Sequence, residues 1–169
     1  MKQFYFGAGV AALVLLFMTS PALAFTANNL DIAVSDNADA VIIFEYELTW
    51  AENAAVFMHI TDPSLELKRA LESNYKKTVD VVRTDTGRAQ FIVHDFATIK
   101  EKDGATVMST PALSFVNAEK VLKKYWFAPF IAPDFSPSIT RVSFPDGYSY
   151  EFDDQISIPV LRHTLGEQP

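Results

Sequence analysis

Two neighbouring runs near the start of this chain alternate strictly between apolar and polar residues, and that period of two fixes local structure more tightly than any other feature of the sequence. Leu30, Ile32 and Val34 alternate with Asp31, Ala33 and Ser35. Beyond the turn-forming Asp36-Asn37-Ala38-Asp39, Phe44, Tyr46, Leu48 and Trp50 alternate with Glu45, Glu47 and Thr49. Side chains on a strand point to opposite faces in turn, so the pattern predicts a β-hairpin with one packed and one wet face. Val142 and Phe144, then Tyr148, Tyr150 and Phe152, flank Pro145-Asp146-Gly147, where proline presets φ and glycine accepts a positive one. Val79-Asp80-Val81 and Phe91-Ile92-Val93 around Asp85-Thr86-Gly87 predict another hairpin. Lys102-Asp103-Gly104 marks a turn before extended chain up to Ser114.

Helical spacing enters at three places. Thr49-Trp50-Ala51-Glu52 has the form of a capping box and predicts a short apolar helix to about Ile60. Asp62-Pro63 reads as an N-cap followed by proline at the first helical position. Leu67, Ala70, Leu71 and Tyr75 then recur at helical spacing to about Lys76, with Glu72 and Lys76 placed to pair four residues apart. Phe115, Ala118, Val121, Leu122 and Tyr125 share a third helical face, which Ala128-Pro129 ends. Strands and helices come in blocks and not in strict alternation. The expected fold is therefore one α+β domain over residues 25–169, a mostly antiparallel sheet with about three helices covering one face.

Residues 1–24 have the order of a secretory signal: Lys2, an apolar run from Phe4 to Met18, then Pro21 and the small-residue site Ala22-Leu23-Ala24. The apolar run is short for a bilayer span, which favours cleavage after Ala24 over retention as an anchor. No second long apolar run follows, so the mature chain is expected to have no transmembrane span. Its location is expected to be extracytoplasmic, secreted or peripheral on the cell envelope.

Composition removes whole chemistries. With no cysteine there is no disulfide, thiol nucleophile or cysteine-ligated metal. A net charge of −7, with no run of Lys and Arg, leaves nothing to displace the counterions of a duplex, so nucleic acid is not expected as a partner. None of the six glycines stands in a phosphate-cradling spacing, and no cofactor is expected. His59, His94 and His163 are scattered, with no pair at metal-binding helical spacing, and no Gly-x-Ser-x-Gly elbow marks a nucleophile. His94 and Asp95 point to opposite strand faces, which argues against their pairing. Asp85-Thr86-Gly87 matches the aspartic-protease triplet, but its flanks are polar and no second copy exists; a hairpin turn explains it better. The acidic groups Asp36 and Asp39, and Glu151, Asp153 and Asp154, do not follow a calcium-loop pattern, and turns and wet strand faces account for them.

The unusual stretch is 125–137, with Tyr125, Trp126, Phe127, Phe130 and Phe135 among three prolines. It reads either as a strap held across the core by its own rings or as an aromatic ledge for a partner surface. In the second reading Trp126, Phe130 and Phe135 are the candidate binding residues. Trp126 in particular rotates about 100° away from the Tyr125 face of the preceding helix. Taken with Leu48-Thr49-Trp50-Ala51-Glu52, Asp134-Phe135-Ser136-Pro137 and Phe144-Pro145-Asp146-Gly147-Tyr148, the chain resembles small exported proteins of methanogenic archaea that have no assigned activity. That resemblance implies an envelope location and carries no catalytic residue across. The function expected is a non-catalytic envelope domain that binds an envelope protein, a glycan or a membrane surface. The alternative is a cofactor-free extracytoplasmic hydrolase whose Asp or Glu and His residues converge only in the fold.

Overall fold

A computed structural model describes residues 26–47, 63–85, 87–116 and 134–166. The leader, the helix expected over 49–60, its Thr49 cap, Asp62, and the segment 117–133 lie outside those residues.

The hairpin predicted from alternation is the centre of the fold. Strand β1 (Thr26–Val34) pairs antiparallel with β2 (Ala40–Glu47), matching Leu30 with Phe44, Ile32 with Ile42 and Val34 with Ala40. The turn closes through the Ser35 amide, which donates to the Asp39 carbonyl at 2.8 Å, and holds Ala38 at φ 70°. Around this pair the sheet grows outward. Strands β3 (Val79–Thr84) and β4 (Arg88–Val93) add on the β2 side, and β8 (Ile139–Ser143) and β9 (Ser149–Asp153) on the β1 side, giving the order β3-β4-β2-β1-β8-β9. All neighbours are antiparallel except β1 and β8. Register places Val81, Phe91, Ile42, Ile32, Val142 and Tyr150 in one row across the six strands. Phe91, Ile32 and Val142 are fully buried, each stabilising the fold by about 1.5–3 kcal/mol. One polar group interrupts this face: Thr140 is buried, and among the described residues its hydroxyl has no hydrogen-bond partner.

Two smaller sheets complete the strands. In one, β11 (Arg162–Thr164), β6 (Ala105–Ser109) and β5 (Thr98–Lys102) lie side by side. In the other, β7 (Leu113–Ser114) pairs with β10 (Ser157–Ile158). The β5–β6 turn has Asp103 at φ 53° and Gly104 at φ 80°, two consecutive left-handed residues that suit the right-handed twist of a two-residue hairpin. The helix α1 (Pro63–Tyr75) packs against β3, with Leu71 and Tyr75 turned to the core and the Tyr75 ring edge-on to Phe96 at 5.6 Å. Glu72 pairs with Lys68 at 3.4 Å and not with Lys76, because the chain leaves the helix there: Lys76 stands at φ 55° as the left-handed residue that ends it.

The α+β expectation is therefore corrected: the described chain is mostly β, with eleven strands in three sheets and one helix. The third predicted helix lies outside the described residues beyond Val116, and its first residue, Phe115, is not helical. The Phe115 amide donates to the Ile156 carbonyl at 3.0 Å, and its ring stacks on Phe44 at 6.3 Å, so tertiary contacts hold this residue in non-helical chain. The strands that shift the balance, β5, β7, β10 and β11, are short or polar and have no alternating apolar pattern of their own. No helix among the described residues is long and apolar enough to cross a membrane.

Candidate functional site

Strand β5 is strongly polar, Thr-Ile-Lys-Glu-Lys, with all five residues exposed. Its period of two puts Thr98, Lys100 and Lys102 on one face and Ile99 and Glu101 on the other. Pairing carries that division across the sheet. Thr98 stands opposite Ser109 and then Arg162, and Lys100 opposite Val107 and then Thr164. On the reverse face Ile99 aligns with Met108 and His163, both buried, so this face turns to the core. Glu101 accepts a hydrogen bond from Thr106 at 2.7 Å and, being exposed, also borders the groove on the other side.

The outward face lines a groove of about 810 Å³, completed by Lys77, Asp95 and Phe96, by Thr110, Pro111 and Val160, and by Glu101. Four cations border it: Lys77, Lys100, Lys102 and Arg162. Among the described residues no carboxylate lies within 4 Å of any of the four. Elsewhere Lys68 pairs with Glu72, Arg83 with Asp85, Arg88 with Glu45, and Arg141 with both Glu151 and Asp31. The groove thus carries four cations against the two carboxylates Asp95 and Glu101 on a chain of net charge −7, with the hydroxyls of Thr98, Ser109 and Thr164 between the cations.

Two histidine clusters hold the ends of the elements around this sheet. His94, just past β4, places Nε2 2.9 Å from Asp80 Oδ2 and Nδ1 3.2 Å from Asp39 Oδ2. Hydrogen bonding to Asp80, then to Asp39, raises its pKa by favouring the imidazolium. The Asp95 amide, at 2.9 Å, is the main cause of a lowered pKa at Asp39. His163 on β11 is buried, with Nε2 2.7 Å from Asp146 Oδ2 and its ring stacked on Tyr148 at 4.4 Å. The Gly166 amide, then His163, hold the Asp146 carboxyl down at about 2. The Tyr148 amide donates to the other oxygen of Asp146, and the Tyr150 hydroxyl to the Arg162 carbonyl at 3.1 Å. The β8–β9 hairpin is in this way tied to β11 at the residues that carry Arg162 into the groove. Among the described residues neither imidazole hydrogen-bonds to a Ser or Thr hydroxyl, the contact a general base makes with its nucleophile. Both clusters act as ties between elements.

Of the candidate binding residues, Trp126 and Phe130 lie outside the described residues. Phe135 is half-buried in a segment held to the start of β1, where the Ala27 amide donates to the Asp134 carbonyl at 3.1 Å and Pro137 is fully buried. Asp85 and Gly87 lie between β3 and β4. Thr86 is outside the described residues, and the Asp85 carboxylate accepts the Gly87 amide at 3.1 Å. His94 and Asp95 do not pair through their side chains; the partners of His94 come from 14 and 55 residues away. Sequence reasoning missed the groove entirely, because Lys77, Lys100, Lys102 and Arg162 form no run. The one local signal was a strand-length segment at 98–102 with lysines two apart. No protein family, curated protein or solved structure matches this chain.

Proposed function

We propose that this chain is an exported, non-catalytic domain of the cell envelope that holds an anionic ligand in the groove over β5, β6 and β11. The observation that carries the proposal is the gathering of Lys77, Lys100, Lys102 and Arg162 in one groove without carboxylate partners, on a chain that is acidic overall. Four cations against two carboxylates, Asp95 and Glu101, leave the lining net positive, and a bound anion offsets that charge. The groove is half-open, and its two carboxylates, Asp95 and Glu101, are outnumbered by cations and hydroxyls, which suits binding better than hydrolysis by paired carboxylates. The signal-like residues 1–24 supply the route to the envelope.

The test is retention of the full-length gene product, its N-terminus as the cell leaves it, on a carboxylate-bearing resin at low salt and neutral pH. A protein of this net charge should flow through. Retention that salt abolishes, and that Lys100→Glu with Arg162→Glu removes at unchanged melting temperature, is the expected result. Flow-through of the unsubstituted protein, or retention equal to that of the variant, would refute the proposal.

A further inference from the structure

The groove's cations are spaced in a way that bears on the ligand they suit. Lys100 and Lys102 are two residues apart on one strand face, about 6.6 Å along β5. Arg162 enters two strands away, about 10 Å across the sheet, opposite Ser109 and Thr98. Hydroxyl side chains fill the positions between these roots, and Val107 stands beside Lys100 and Thr164. Resting on the anion-binding proposal above, we infer that the ligand is a linear acidic polysaccharide, with carboxylate or sulfate groups at intervals, laid across the three strands. Separated cations match separated anions, the interposed hydroxyls match sugar hydroxyls, and the apolar residues match the CH faces of the rings. A single small anion would need the cations drawn to one point against their mutual repulsion. Single-stranded nucleic acid would need an exposed ring on which bases stack, and the one aromatic residue of the lining, Phe96, is buried. An anionic bilayer is flat and favours protruding cations, whereas these line a recess.

The experiment measures affinity of the full-length gene product for galacturonate, for oligogalacturonates of increasing length, for inorganic phosphate and for vesicles of anionic phospholipid. Affinity should rise about tenfold or more from monomer to oligomer and then level off once the groove is spanned. Lys102→Gln and Arg162→Gln should each lower oligomer affinity several-fold, by a larger factor than they lower monomer affinity, and leave the melting temperature where it was. Phosphate or monomer binding as tight as oligomer binding would overturn the polysaccharide inference and leave anion binding standing. So would vesicle binding without oligomer binding. Failure of every anionic probe at low salt would overturn both.

Discussion

Asp146 shows how much one turn residue can carry. Its position between Pro145 and Gly147 belongs to the local chemistry of the hairpin, in which the Gly147 amide donates to the Phe144 carbonyl at 3.0 Å and Gly147 stands at φ 89°. Its carboxylate also reaches His163 and the Gly166 amide, 17 and 20 residues on, so one side chain closes the turn and fixes β11. The space around Gly147 is open, and a side chain there meets no neighbour. The cost of substitution is therefore purely a backbone cost. Gly147→Val should destabilise the protein by about 1–3 kcal/mol, and Gly147→Asn by less, since Asn tolerates the left-handed region. Urea titration of both variants checks this, and equal midpoints for Val and the unsubstituted protein would contradict the turn geometry.

Among the elements, the joint made by His94 responds to pH near neutrality. It links the β1–β2 turn through Asp39 and strand β3 through Asp80, and Asp95, next in sequence, borders the groove. A histidine whose folded pKa is raised contributes stability that is fully present below its unfolded value of about 6.5 and is lost as pH rises through the folded value. Melting temperature should therefore fall more between about pH 5.5 and about pH 8.5 in the unsubstituted protein than in His94→Gln. The difference will be modest, because the cluster is exposed and screened. Identical pH dependence in the two proteins would show that the joint contributes nothing. The same element-level view explains the helix correction. Phe115 has helical neighbours in sequence, yet its amide and ring are claimed by Ile156 and Phe44, contacts that periodicity along the chain does not contain.

At the scale of the whole molecule, export and binding make one proposal, and its first half is tested by mass spectrometry of material from native cells. An N-terminus at Phe25 is the expected outcome, and intact Met1 recovered in a membrane fraction would instead establish an anchor. The sequence by itself determined the parts of the fold written in a short window. These are the β1–β2 hairpin through its strict alternation, the β8–β9 hairpin through Pro-Asp-Gly, the β3–β4 hairpin and the one described helix. In each, neighbours a few residues apart decide which face packs and where the chain turns, so the information is local. Only the tertiary structure decided that β8 lies parallel to β1, and that the polar segment 98–102 is a strand paired to β6, which joins it to residues 162–164. The groove belongs to this second kind. Its cations come from positions 77, 100, 102 and 162; strand register puts Lys100, Lys102 and Arg162 on one face, and the bend after the helix brings Lys77 to it. Register between distant strands is set by which buried faces fit together, and no local pattern of charge records it.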